Sequence, residues 1–76
     1  YHYSFALRTP MQILLNGEAR EVAPDATVET LVATLDLGDK RFAVEINEEL
    51  VPRTTFAEHG LEEGDRVEIV TAIGGG

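Results

Sequence analysis

Seventy-six residues make one small domain, near the size at which folding buries roughly 60% of the unfolded chain's surface and no deep catalytic cavity fits. Hydrophobic residues at 43% exclude a disordered chain despite the formal charge of −8, which in turn disfavours nucleic acid and anionic membrane as partners. The second half is the more acidic, with four bases against nine acids where the first 38 residues have two against five. Two roles for that charge stay open: solubility, or attraction toward a protein with a basic docking face.

The absence of cysteine excludes disulfides, thiolate metal sites and a thiol nucleophile. No apolar run approaches the roughly 20 residues of a membrane helix, and no signal-peptide pattern occurs. The expectation is a soluble, cytoplasmic protein.

Residues 1–10 precede the first Met and are read as an N-terminal extension, more a segment appended for expression than a native one. Within it, Tyr1, Tyr3, Phe5 and Leu7 alternate with His2, Ser4 and Ala6, a strand pattern suited to an exposed sheet edge. From Met11 the alternation of Met11, Ile13 and Leu15 predicts a strand, and Asn16-Gly17 is the pair best suited to a two-residue hairpin turn. The return strand runs through Val22 and breaks at Pro24-Asp25. Thr27 then caps a predicted helix whose Val28, Leu31, Val32 and Leu35 form one buried stripe, with Gly38 as its terminator.

In "RFAVEIN", Phe42, Val44 and Ile46 share a face, so this is a third strand. Leu50-Val51 is a short strand stopped by Pro52, which places it at an edge because proline cannot donate to a ladder. "TTFAEHG" is expected to form one helical turn with Phe56 and Leu61 as core plugs, "EEGD" a turn, and "RVEIVTA" the last strand. A single helix covers one face of a sheet, so the other face is solvated. With Ile13, Leu15, Val44, Ile46, Val67 and Ile69 inward, Leu14, Val70 and Ala72 fall on the open side beside Glu45 and Glu68. They are the candidate docking residues of a small apolar patch with an acidic rim.

No catalytic set emerges. His2 and His59 lie in unrelated contexts without metal partners, Ser4 is the only serine, and the acid pairs Glu48-Glu49 and Glu62-Glu63 have no cleft around them. The glycines of "AIGGG" precede no helix and include no lysine, so they are not a phosphate cradle. Glycine lacks the Cβ that would clash with a narrow wall, and three such residues reach about 10 Å, which suits a tail threaded into another protein's active site. The domain would dock outside while the Gly76 carboxylate reacts inside, with Gly74 and Gly75 as the tail threaded through the partner's tunnel.

From Met11 to Gly76, "MQILLNGE", "ATVETLVATL", "AVEINEELVPR" and "GDRVEIVTAIGGG" resemble the ThiS family of sulfur carriers in thiamine biosynthesis, which has the β-grasp, ubiquitin-like fold. Asn47 followed by Val51-Pro52-Arg53 is the more specific part of the likeness. Residues 1–10 have no counterpart in it, and the third glycine makes the tail one longer than the family's pair. The resemblance implies an α+β domain, with a mixed sheet of four to five strands packed on one helix over residues 11–73, and a flexible reactive tail at 74–76.

It implies further that an adenylating enzyme of the ThiF type uses ATP and magnesium to activate the Gly76 carboxylate. Sulfur from a persulfide donor, such as a cysteine desulfurase, then yields a thiocarboxylate at Gly76. A thiazole synthase of the ThiG type consumes it, and the carrier itself is no enzyme and binds no metal. Two rivals share fold and tail: the small sulfur-carrying subunit of molybdopterin synthase, and a ubiquitin-like modifier joined to lysines. A β-grasp interaction domain with no reaction at all is a third.

Overall fold

The computed structural model describes residues 9–72. The expectations for Tyr1, Tyr3, Phe5 and Leu7 and for Gly74, Gly75 and Gly76 lie outside the described residues. Five strands form one sheet: β1 (Met11–Leu15), β2 (Glu18–Val22), β3 (Phe42–Ile46), β4 (Glu49–Val51) and β5 (Arg66–Thr71). One helix, α1 (Val28–Ala33), follows β2, and a 3₁₀ turn at Arg53–Thr55 follows β4. The sheet order is β2-β1-β5-β3-β4, with β1 and β5 parallel and every other pair antiparallel. The chain's first and last described strands are therefore neighbours at its centre.

Both hairpins close through two residues in the left-handed region. Asn16 (φ 50°) and Gly17 (φ 86°) join β1 to β2, as Asn-Gly predicts. Asn47 (φ 53°) and Glu48 (φ 73°) join β3 to β4 in the same way without a glycine. Edge strand β4 ends at Val51, before Pro52, as a residue without an N–H requires.

Thr27 starts α1 with a reciprocal cap: its hydroxyl accepts from the Thr30 N–H at 3.2 Å, and the Thr30 hydroxyl accepts from the Thr27 N–H at 2.9 Å. The next two orphan donors are met by the chain after β4, Val28 N–H by the His59 carbonyl at 2.9 Å and Glu29 N–H by that of Phe56 at 3.1 Å. The helix stops at Ala33, earlier than the sequence pattern suggests. Thr34 ends it by donating its hydroxyl to the Leu31 carbonyl at 2.7 Å. Gly38 is therefore not the helix terminator; it has φ 59° in the loop beyond. Leu35 packs half-buried outside the helix.

Ile13, Val28, Val44 and Val67 are fully buried and join sheet to helix, with Leu31, Ile46, Val51, Phe56 and Leu61 completing the core. The inward set expected from alternation is the inward set observed, and Leu15 and Ile69 sit half-buried at its margin. Phe56 and Leu61 plug the core from the segment after β4.

Candidate functional site

The face of the sheet turned away from α1 and the core is its open face, and β5 crosses the middle of it. At the end of β5, Thr71 pairs with Phe42 and the Ala72 N–H donates to the Arg41 carbonyl at 2.9 Å. Ala72 is thus the last described residue held by the sheet, and Gly76 stands four positions further along the chain. Fully extended, that stretch spans about 13–14 Å.

The sequence-derived docking residues are all exposed on this face but do not form one patch. Val70, 51% exposed, pairs with Ala43, and Ala72 lies two residues on along the same face. Leu14, 39% exposed, pairs with Arg66 in the parallel ladder. In that register Leu14 stands four residues below Val70, a separation of about 13 Å along the strand. Arg66 and Glu68 occupy the interval on β5. Alternation alone assigns a residue to a face; only the β1–β5 register shows how far apart two residues on that face lie.

Leu50, the most exposed large hydrophobic at 66%, was missed as a surface residue. It pairs with Glu45, which in turn opposes Glu68 on β5. The signal was available: Leu50 precedes an inward Val51 on an edge strand, so it must point outward. Glu45 and Glu68 directly opposite one another place two like charges at the centre of the open face, an unfavourable cross-strand pair. The acidic element expected at the rim is at the middle instead.

Among the described residues no group of three or more His, Asp or Glu could hold a metal ion, and no helix is long and apolar enough to cross a membrane. His59 serves the fold through its carbonyl on Val28, and the Glu62 to Asp65 stretch is a turn closed by Glu62 N–H to Asp65 Oδ2 at 2.8 Å. What the described face offers is exposed apolar side chains around two acids, on a sheet whose central strand is the last described element before the glycines in sequence.

A mixed five-stranded sheet, with parallel first and last strands at its centre and one helix packed across it, defines a β-grasp, ubiquitin-like domain. The ThiS family model matches residues 13–76, which includes the terminal glycines. The chain belongs to the ThiS family.

The sulfur carrier protein ThiS of Escherichia coli K12 is 38% identical over 66 residues, covering 87% of this chain and all of that protein. The crystal structure of the thiamine biosynthesis protein ThiS from Geobacter metallireducens superposes with a TM-score of 0.74 at 30% identity, over 87% of this chain and all of that one. A thiazole synthase of Paramagnetospirillum magneticum is 41% identical over 66 residues, and there the chain spans only 20% of the relative's length. Of the kinds of protein weighed from the sequence, the matches single out the ThiS carriers.

Proposed function

We propose that this chain is a sulfur carrier whose Gly76 carboxylate is adenylated and converted to a thiocarboxylate, which donates sulfur for thiazole formation in thiamine biosynthesis. The observation that carries this reading is the family match running to Gly76 over a β-grasp domain whose central strand is the last described element before that residue in sequence. The domain itself is a protein co-substrate. Its catalysts are an adenylating enzyme of the ThiF type, using ATP and magnesium, and a thiazole synthase of the ThiG type.

The chemistry follows from the carboxylate. An α-carboxyl with a pKa of about 3.3–3.7 is ionised at neutral pH and resists nucleophiles. Its oxygen attacks the α-phosphorus of ATP, and pyrophosphate leaves. A persulfide sulfur, generated by a cysteine desulfurase, attacks the acyl carbon and AMP leaves. Thiol cleavage of the resulting acyl disulfide frees the thiocarboxylate and leaves a disulfide on the donor side. Gly74 and Gly75 pass through the enzyme's tunnel, while Val70, Ala72, Leu50 and Leu14 contact its outer surface.

Thiazole synthases of Paramagnetospirillum magneticum and Magnetococcus marinus each match this chain over one fifth of their own length. Those relatives support a thiazole synthase as the acceptor, and a cytoplasmic setting accords with the ATP-dependent step. The test is intact-mass measurement after incubation with the adenylating enzyme, ATP and a sulfide source. The expected result is replacement of one oxygen by sulfur, localised to Gly76. An unchanged mass, or a chain lacking Gly75 and Gly76 that still supports thiazole synthesis, overturns the reading.

A further inference from the structure

We propose that Arg53 is a positioning residue for sulfur loading: it fixes the end of β3, and through it the point at which β5 releases the chain toward Gly76. The inference rests on the carrier reading above and adds to it a role for a side chain that acts through the end of β3.

The argument starts from Pro52. With β4 ended at Val51, the position opposite Phe42 in the β3–β4 register falls on Arg53, beyond the strand. No backbone N–H of β4 reaches the Phe42 carbonyl. The Arg53 guanidinium does so instead, donating from Nη2 at 3.1 Å. Its Cζ lies 4.6 Å from the centre of the Phe42 ring and 5.7 Å from that of Phe56, a cation over two aromatic faces. The two rings are stacked with centroids 6.3 Å apart, and Phe56 is buried in the core. Arg53 therefore ties the first residue of β3 to a core plug.

On its other edge, Phe42 pairs with Thr71, and Arg41 accepts from the Ala72 N–H. This matters because β5 loses its second neighbour before it ends. The β1 side holds β5 at Arg66 and Val67, and finally at the Ile69 N–H through Asn16 Oδ1. From Val70 to Ala72, the ladder partners among the described residues are those of β3 alone. If the end of β3 frays, the end of β5 frays with it. The freed residues must then be reordered each time the terminal glycines are threaded into an enzyme, an entropic cost that falls on binding.

The test uses the full chain with Arg53→Met, which keeps an apolar stem, Arg53→Lys, which keeps the cation without the planar fork, and Thr27→Ala as a destabilised control far from the exit. Hydrogen exchange at Val70 and Ala72, whose N–H groups face the end of β3, is expected to speed up about tenfold in Arg53→Met, the loss of one hydrogen bond, while Val67 and Ile13 stay protected. In ATP–pyrophosphate exchange with the ThiF-type enzyme, KM is expected to rise by a similar factor with kcat within about twofold, as uniform binding loss requires. Arg53→Lys should recover part of both effects, and Thr27→Ala neither.

Exchange that accelerates evenly over all strands makes Arg53 a general stabiliser and overturns the proposal. So does unchanged exchange at Ala72, or a KM that does not move when the strand end loosens. If the unaltered chain is never adenylated, the carrier reading fails and the loading role falls with it, while the exchange profile still decides whether Arg53 fixes the strand end.

Discussion

Asn16 and Asn47 stand at the two hairpin turns on either side of β5, and each side-chain oxygen accepts from a backbone N–H of that strand. Ile69 donates to Asn16 Oδ1 at 2.9 Å and Arg66 to Asn47 Oδ1 at 3.0 Å. The same residues adopt φ of 50° and 53°, which asparagine tolerates better than most side chains. Each thus makes a turn and clips the central strand at once. Asn47 adds a bond from Nδ2 to Asp65 Oδ1 at 3.1 Å, tying the β3–β4 turn to the chain that enters β5.

Replacing Asn47 with glycine keeps the turn and removes the clip, so it isolates the second role. Asn47→Gly is expected to lower the unfolding free energy by about 1 kcal/mol in chemical denaturation, and Asn16→Gly by a similar amount. Because the two clips engage different residues of β5, the double variant should be additive within about 0.5 kcal/mol. A loss near zero for both would mean that solvent replaces these bonds without penalty.

Glu48 is the second residue of a two-residue hairpin and has φ 73°, where a Cβ is strained. Glu48→Gly relieves that strain but gives the unfolded chain more freedom. The balance is expected to raise stability by roughly 0.5 kcal/mol, read from the denaturation midpoint at constant slope. Glu48→Ala, which keeps the Cβ, should not reproduce the gain.

Glu45 and Glu68 oppose each other across β3 and β5. Either Glu45→Gln or Glu68→Gln removes the repulsion and should stabilise the domain by about 0.2–1 kcal/mol. The same change should slow association with the adenylating enzyme at low salt, and the difference should vanish at high salt, where surface charges are screened. Stabilisation without any change in association rate would assign these acids to solubility instead.

The separation of Leu14 from Val70 predicts unequal roles in docking. Val70→Asp, beside the exit of β5, should weaken capture by the adenylating enzyme about tenfold or more, as central contacts do. Leu14→Asp should cost less. Both side chains are exposed, so thermal denaturation should shift little in either variant. Equal losses would place the contact across the whole open face.

Strand order along the chain, the first hairpin and the inward set were legible because each rests on local alternation or on a single turn pair. Val67 and Ile69 could be assigned inward from their spacing alone, and Asn16-Gly17 announced its own turn. The β3–β4 turn was harder to read as a tight hairpin because Asn47-Glu48 lacks the expected glycine. The helix end was misplaced for a related reason: Thr34 competes for the Leu31 carbonyl through its side chain, a local bond that periodicity does not register. Leu14, Val70 and Ala72 were correctly placed on one face, whereas their mutual distance depends on a parallel register between residues far apart in sequence. The Arg53 bond to Phe42 was invisible for the same reason, since it joins two strands' ends through a side chain.

The parallel contact between β1 and β5 also governs when the domain can form. During synthesis β1 emerges early and finds β2 at once, but its other neighbour is separated from it by some fifty residues, so the centre of the sheet stays vacant until Arg66–Thr71 has been made. Ile13 has no Val67 to pack near until then, and a ribosome-bound chain shorter than this holds only two unjoined hairpins and an unsupported helix. Maturation of the fold thereby waits for the strand that precedes the glycines, so a chain terminated before Arg66 lacks the centre of its sheet and cannot compete as a folded but sterile decoy.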